Sequence, residues 1–128
     1  MFKWLLRLFG PRGPQFKAVD WYEVSQKTSQ YMIMAKSNSQ AEQKQALMQI
    51  DSLINNIFAK AGVVGNTFGE RLKSLKQTMP KVVYGDLWQA HLKRNELAHE
   101  PDSFMAKWEN DKYFASFNRA ISYFRGRR

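Results

Sequence analysis

The chain has 128 residues, and its 44% hydrophobic content is sufficient for one compact domain with one core. The absence of cysteine excludes disulfides and thiolate metal sites, and it is compatible with the cytoplasmic location that we predict. The formal net charge of +9 favours partners that carry phosphate or another anionic group.

The basic charge is concentrated in two segments at the ends of the sequence. Residues 1–17 contain no acid and four basic residues, Lys3, Arg7, Arg12 and Lys17. Residues 119–128 also contain no acid, and their four basic residues are Arg119, Arg125, Arg127 and Arg128. Between these segments, 12 basic and 11 acidic residues nearly cancel. We predict that both segments contact nucleic-acid or lipid phosphates, with solubilising charge as the alternative.

The first predicted unit, residues 1–17, is apolar but interrupted by charge. It is shorter than the roughly 20 residues that a membrane span needs, and it lacks a signal peptide's unbroken apolar stretch. A helix here would have an apolar side and a basic side, formed by Phe2, Leu5, Leu6 and Phe9 and by Lys3 and Arg7. We predict that residues 1–14 bind an anionic membrane surface, peripherally at its inner face, or pack on the domain or a second subunit.

The next two predicted elements are helices with clear caps. Asp20 is a good N-cap for a first helix that runs to about Lys36. Ser39, with Glu42 three residues later, predicts the start of a second helix, which Gly62 ends. Its apolar residues follow i, i+3, i+4, i+7 spacing: Ala46, Leu47, Ile50, Leu53, Ile54, Ile57, Phe58 and Ala61.

Three further predicted helices follow. Thr67 caps a short helix, and Pro80 ends it. Residues 85–99 form the next helix, and Pro101 fixes its end because the residue before a proline avoids helical geometry. A last helix spans about 110–125 and carries an aromatic stripe.

These elements predict an all-α fold, an up-and-down helical bundle of four to five helices over residues 18–125. A basic tail follows at residues 126–128. The methionine and aromatic side chains at helical spacing are interpreted as core. Two histidines and no cysteine give little basis for a metal site, so neither a metal nor a cofactor is predicted.

A polar strip interrupts the apolar pattern of the fourth predicted helix. His91, Asn95 and His99 are spaced i, i+4, i+8 along one side, and Arg94 lies at its edge. An imidazole that moves protons near neutral pH and a guanidinium that holds phosphate oxygens suit phosphodiester chemistry. RNA brings its own nucleophile, the ribose 2′-hydroxyl, and two copies of the chain would supply both base and acid. The structural alternative is that these side chains bond the helix end and bridge neighbouring helices.

The motif Arg94-Asn95-(x3)-His99, at the end of the penultimate helix of a small bundle, resembles the Arg-x4–6-His signature of HEPN domains. In that family a polar residue, often asparagine, follows the arginine. The wider string of residues 86–101 and the stretch 69–73 are similar to small uncharacterised bacterial proteins of this class. The resemblance covers roughly residues 42–125.

The resemblance implies a metal-independent endoribonuclease, or an RNA-binding protein, that works as a homodimer with both motifs in one cleft. In that role Arg94 would hold the scissile phosphate, His99 would transfer the proton and Asn95 would orient the site. His91 lies outside the minimal motif, and we assign it a supporting role.

Two departures from the family pattern keep a second hypothesis open. Glu96 and Glu100 flank the motif, where carboxylates repel a bound phosphate, and Pro101 stands where toxin members often have a tyrosine. Many HEPN-like domains also serve as binding modules without catalysis. The alternative is therefore a non-catalytic helical dimerisation or interaction module, tethered to a membrane surface by residues 1–17.

Overall fold

The computed structural model describes residues 13–128, so the predictions for Lys3, Arg7 and Arg12 lie outside the described residues. The described part contains five α-helices and no strand, which confirms the predicted all-α, up-and-down bundle. A short 3₁₀ turn, Phe16–Ala18, comes before the first helix. The five helices are α1 (Trp21–Ala35), α2 (Gln40–Ala61), α3 (Phe68–Ser74), α4 (Lys81–His99) and α5 (Lys107–Arg125).

The first three helices begin at the caps that the sequence predicts. The side-chain oxygens of Asp20, Ser39 and Thr67 each accept a hydrogen bond from the backbone N–H three residues later, at 3.1, 3.3 and 3.1 Å. These bonds satisfy donors that a helix start otherwise leaves without a partner. Gly62 ends α2 in the left-handed conformation, with φ of +78°, as predicted.

Two helices begin earlier than predicted. Helix α4 starts at Lys81 instead of residue 85, because Pro80 is its N-cap and has the fixed φ (−57°) that suits a helix start. Helix α5 starts at Lys107 instead of residue 110, because the Glu109 carboxylate accepts a hydrogen bond from the backbone N–H of Ala106 at 3.1 Å. The backbone angle of Pro80 and the hydrogen bond of Glu109 set these two starts, and apolar periodicity reveals neither.

Helix α2 is the centre of the bundle, and α1, α4, α5 and the 3₁₀ turn all pack on it. Its apolar side is fully buried, and α5 contributes the buried rings of Phe117 and Phe124. Phe58 of α2 meets Phe124 edge to face at 5.2 Å, and Phe16 stacks on Phe124 at 5.0 Å. Each fully buried phenylalanine stabilises the fold by about 1.5–3 kcal/mol relative to an exposed one.

The loop between α4 and α5 is held by polar side chains of α2. The Lys44 ammonium donates hydrogen bonds to the backbone oxygens of Pro101 (2.7 Å) and Ser103. The backbone N–H of Met105 donates to the Gln40 side chain at 3.1 Å. These contacts fix the end of α4, the helix that carries the predicted motif. No helix among residues 13–128 has the length and apolar character needed to cross a membrane.

Candidate functional site

A polar cavity of about 630 Å³ opens between α2, α3 and α4. Asp51 and Asn55 of α2 line one wall, and Phe68 and Gly69 at the start of α3 line another. Helix α4 completes the cavity with Trp88, His91, Arg94 and Asn95. Three of the four residues that the sequence predicts for a site in this helix therefore lie in one cavity.

His91 is packed between aromatic rings and is only 8% exposed. Its imidazole stacks on Phe68 with ring centres 4.0 Å apart and planes 6° from parallel, and Trp88 meets it edge to face at 6.1 Å. Gly69 allows this close approach of α3 and α4, because a Cβ there would lie 3.2 Å from the Trp88 ring. The packing leaves the imidazole little freedom to rotate.

Asp51 fixes the imidazole from the side of α2. Its Oδ2 lies 2.7 Å from His91 Nδ1, and the Asp51 and His91 side chains are 5% and 11% exposed. The Nδ1–H donates to the carboxylate oxygen, so the other nitrogen, Nε2, is left for a different partner. A buried carboxylate and imidazole in this contact can exchange or hold a proton in a controlled orientation.

Arg94 and Asn95 close a ring of polar contacts around this pair. Arg94 Nη1 donates to Asn95 Oδ1 at 3.3 Å, and Asn95 Nδ2 lies 3.5 Å from His91 Nε2, the acceptor nitrogen when Nδ1 carries the proton. Arg94 Nε lies 3.6 Å from Asp51 Oδ1, which is an ion pair but too long for a hydrogen bond. We call Asp51, His91, Arg94 and Asn95 the histidine network.

The guanidinium of Arg94 retains unused hydrogen-bonding capacity. Its Nε is buried, and no atom among the described residues accepts a hydrogen bond from it. The whole side chain is nonetheless 31% exposed and borders the cavity. A buried donor without an acceptor is costly. An anion that reached Arg94 Nε would supply the acceptor that the described residues do not.

His99 is placed apart from this network. It is the last residue of α4, it is exposed, and it does not line the cavity. Eight residues of an α-helix leave a rotation of about 80°, so the drift along α4 carries His99 away from the side on which His91 is buried. The structure thus joins His91, Arg94 and Asn95, and it leaves His99 at the solvent-facing helix end.

Asp51 was not predicted as a site residue, and the structure shows it at the centre of the network. A signal was present, because Asp51 stands four residues after Leu47 and three before Ile54, both in the apolar pattern of α2. An acid in a core position requires a buried partner. The sequence could not identify that partner, since His91 lies 40 positions away.

The two glutamates beside the motif differ in their surroundings. Glu96 pairs with Lys93 at 3.1 Å, and Lys93 also contacts Glu109 of α5 at 3.3 Å. Burial lowers the pKa of Lys93, but the hydrogen bonds that its ammonium donates to Glu96 and Glu109 outweigh that effect, and the net pKa is raised. Glu96 is thus partly neutralised by a residue outside the cavity, while Glu100 is exposed.

The predicted basic contact residues that the structure describes form two groups. Arg119 is paired with Asp86 at 3.3 Å on the surface between α5 and α4. Lys17, Arg127 and Arg128 are exposed, and Arg125 is half-buried beside α1. Neither group lines the polar cavity.

The described residues contain no group of three histidine, aspartate or glutamate side chains close enough to hold a metal ion. Asp51 and His91 form a pair with each other, and Arg94 and Asn95 complete their surroundings. The cavity contains an imidazole, a side chain that can transfer protons, and a guanidinium, a side chain that can bind anions.

No family model, curated protein or solved structure matches this chain. The resemblance of residues 94–99 to the HEPN motif therefore stays a prediction from the sequence. What the chain does is inferred from the geometry of the histidine network.

Proposed function

We propose that the protein binds RNA at the polar cavity and cleaves its phosphodiester backbone without a metal ion. The observation that carries this proposal is the imidazole of His91, held by Asp51 at 2.7 Å with the Arg94 guanidinium in the same network. In this role His91 transfers a proton, Arg94 binds the phosphate and Asn95 orients both side chains.

The reaction uses groups that RNA and this chain supply. A base removes the proton of the ribose 2′-hydroxyl, and the 2′-oxygen forms a bond to phosphorus while the bond from phosphorus to the 5′-oxygen breaks. The 5′-oxygen takes a proton, which leaves a 2′,3′-cyclic phosphate and a 5′-hydroxyl end. His91 Nε2 carries one of these protons, and Arg94 stabilises the extra negative charge on the phosphate oxygens.

A second proton-transfer group is needed in the same reaction, and we propose His99 of a second copy for this role. His99 is exposed at the end of α4, and Leu92, about two turns earlier in the same helix, is 49% exposed. A symmetric homodimer through this side of α4 would bring each His99 to the partner's cavity. The motif of one chain would then complete the site of the other.

The RNA proposal is tested by incubating the purified chain with RNA and DNA oligonucleotides in excess chelator. We expect cleavage of RNA but not of DNA, and a loss of about 100-fold or more in His91→Gln and Arg94→Gln. Lys112→Gln is the matched control, because it removes an exposed charge far from the cavity. No cleavage and no salt-sensitive RNA binding by the unchanged chain would contradict the proposal.

The dimer is tested separately by mixing two inactive variants. His91→Gln and His99→Gln chains are combined, and partial recovery of cleavage is expected because mixed dimers regain one complete site. Light scattering gives the mass of the unchanged chain in parallel. A monomer at the concentrations that support cleavage would contradict the shared site but not RNA cleavage itself.

The alternative function, a non-catalytic interaction module, is favoured by one observation. All four side chains of the histidine network contact one another, so the network stabilises the packing of α2 on α4 without any ligand. Under this alternative, Arg94→Gln and His91→Gln lower the unfolding free energy, and RNA neither binds nor protects the protein against unfolding.

A further inference from the structure

Residues 13–17 and 125–128, which belong to the two basic segments, meet at one end of the bundle. The backbone N–H of Gln15 donates to the oxygen of Ala61 at 2.7 Å, which ties the start of the described chain to the end of α2. Next to it, Phe16 is 2% exposed and stacks on Phe124 near the end of α5. The guanidinium of Arg127 lies 5.3 Å from the centre of the Phe16 ring. Residues 13–17 and 125–128 are therefore neighbours.

We define the basic end surface as Lys17, Arg125, Arg127 and Arg128. Its arginines are held by neutral groups: Arg125 donates to the Ser25 hydroxyl at 3.0 Å, and Arg127 to the Thr78 hydroxyl at 3.5 Å. None of its four members forms an ion pair within residues 13–128, whereas Arg119 is paired with Asp86. The positive charge of this surface remains available to an external anion.

The acids closest in sequence to this surface are engaged elsewhere. Asp20 caps α1 by accepting a hydrogen bond from the backbone N–H of Glu23 at 3.1 Å. The Glu23 carboxylate pairs with Lys27 at 2.8 Å. These acids lie at the start of α1, beside Trp21, whose ring is 5.9 Å from the Arg125 guanidinium. They leave the four cations of the basic end surface without a carboxylate partner.

The sequence that enters the bundle at this end is both apolar and basic. Within residues 1–12 stand six large apolar side chains and three basic ones, namely Phe2, Trp4, Leu5, Leu6, Leu8 and Phe9 with Lys3, Arg7 and Arg12. An RNA backbone would use the basic side chains but would give the apolar ones nothing in which to be buried. A membrane interface accepts both, since apolar groups enter the acyl boundary and cations contact lipid phosphates.

We propose that residues 1–12 and the basic end surface together bind an anionic phospholipid membrane. A short apolar segment alone binds a bilayer weakly, and stable peripheral binding needs a second signal. The basic end surface supplies that signal directly beside the point where residues 1–12 join the bundle. Phe16 stacks on Phe124 and so holds residues 13–17 beside the basic end surface. The apolar residues of 1–12 precede this point in the chain and can therefore reach the same membrane patch.

This membrane surface and the polar cavity do not compete for the same side of the molecule. Phe58 lies between them in the core, with its ring 5.4 Å from Phe68 of the cavity wall and 5.2 Å from Phe124 below the basic end surface. The basic end surface therefore shares no residue with the lining of the polar cavity. Membrane binding and the RNA proposal can fail independently.

The test is co-sedimentation of the full chain with phosphatidylcholine vesicles, with and without phosphatidylserine, at low salt. We expect binding only with phosphatidylserine, and weaker binding as salt is raised. The triple variant Arg125→Gln/Arg127→Gln/Arg128→Gln should bind about 100-fold more weakly, because each basic residue near an anionic surface contributes about fivefold. No binding by the unchanged chain would overturn the proposal.

A matched triple variant removes the same charge from the opposite end of the bundle. Lys36, Lys107 and Lys112 are exposed, and the bond of Asn110 Nδ2 to the Ala35 oxygen at 3.0 Å places the end of α1 beside the start of α5. Changing these three lysines to glutamine should leave vesicle binding nearly unchanged. An equal loss in both triple variants would overturn the proposal, since net charge alone would then explain the binding.

The contribution of residues 1–12 is tested by the double change Leu5→Glu/Leu6→Glu and by deleting residues 2–12. Both should abolish binding to phosphatidylserine vesicles. Deletion that abolishes binding while the triple arginine variant binds normally would contradict the joint surface.

Circular dichroism checks that the arginine variants fold. If Arg125→Gln prevents folding, the exposed pair Arg127→Gln/Arg128→Gln replaces the triple change. An RNA oligonucleotide that displaces the vesicles would identify nucleic acid as the occupant and overturn the membrane proposal.

Discussion

The protein uses arginine differently in the histidine network and at the basic end surface. Arg94 faces the buried Asp51 carboxylate and the Asn95 amide, so its charge is partly compensated within the fold. Arg125 and Arg127 contact hydroxyl groups and aromatic rings, so their charge is not compensated. In the two proposals, the cavity binds one phosphate group of RNA, and the basic end surface binds many lipid phosphates.

The largest expected effect concerns His91 in the histidine network. His91→Gln should lower the rate of RNA cleavage about 1,000-fold, because it removes a proton-transfer group that Asp51 holds in place. The triple change of Lys36, Lys107 and Lys112 to glutamine should leave the rate unchanged. Cleavage of labelled RNA at saturating protein measures both, and equal rates for His91→Gln and the unchanged chain would contradict the role of His91.

The next effect concerns the stability of the histidine network. Asp51→Ala should lower the free energy of unfolding by about 3 kcal/mol, because it leaves the buried imidazole without its partner. The exposed acid Asp111 pairs with Lys107 at 3.8 Å, so Asp111→Ala should cost less than about 1 kcal/mol. Urea unfolding measures both variants. Equal losses would show that the Asp51–His91 contact contributes no more than a surface pair.

A smaller effect compares the arginines directly. Arg94→Gln should cost about 2 kcal/mol of unfolding free energy, because it removes the ion pair with the buried Asp51 carboxylate. Arg125→Gln should cost about 1 kcal/mol, since it loses a bond to the neutral Ser25 hydroxyl. The two variants have the same change in charge, so thermal or urea unfolding separates the surroundings. A larger loss for Arg125→Gln would reverse the comparison.

The smallest effect depends on pH and concerns Glu109, which joins α5 to Lys93 of α4. The backbone N–H of Ala106, and then Lys93, lower the pKa of the Glu109 carboxyl below its ordinary value of 4.5. The charged form therefore stabilises the fold above pH 4.5, and this contribution is lost as pH falls through the lower folded-state pKa. Glu109→Gln should cost about 1 kcal/mol at neutral pH. The difference from the unchanged chain should fade in acid, and a difference independent of pH would contradict this origin.

The sequence predicts the helix starts and ends that are set by residues close to one another in the chain. The caps Asp20, Ser39 and Thr67 bond to groups three residues away, and Gly62 ends α2 through its own backbone conformation, so all four were predictable. The start of α4 was not, because Gly85 and Asp86 resemble a helix start while Pro80 supplies the actual one. Two local signals compete there, and the one at Pro80 sets the start of the helix.

The site depends on contacts that no short segment contains. Arg94 and Asn95 were predicted from a motif, and the cavity contains both. The burial of His91 and the exposure of His99 follow from which side of α4 packs on α2 and α3, and the partnership with Asp51 spans 40 residues. One helix carries both imidazoles, and only the packing distinguishes them.

The most direct test of the His91 assignment is ¹⁵N NMR of the imidazoles, since the chain contains two histidines. The ligand is an RNA oligonucleotide with 2′-deoxy substitutions, which can bind but cannot be cleaved. In the free protein, we expect His91 Nδ1 to carry the proton that it donates to Asp51. The ligand should shift the Nε2 signal of His91, and Arg94→Gln should remove this shift. A ligand that shifts the signals of His99 alone, or of neither histidine, would contradict the account.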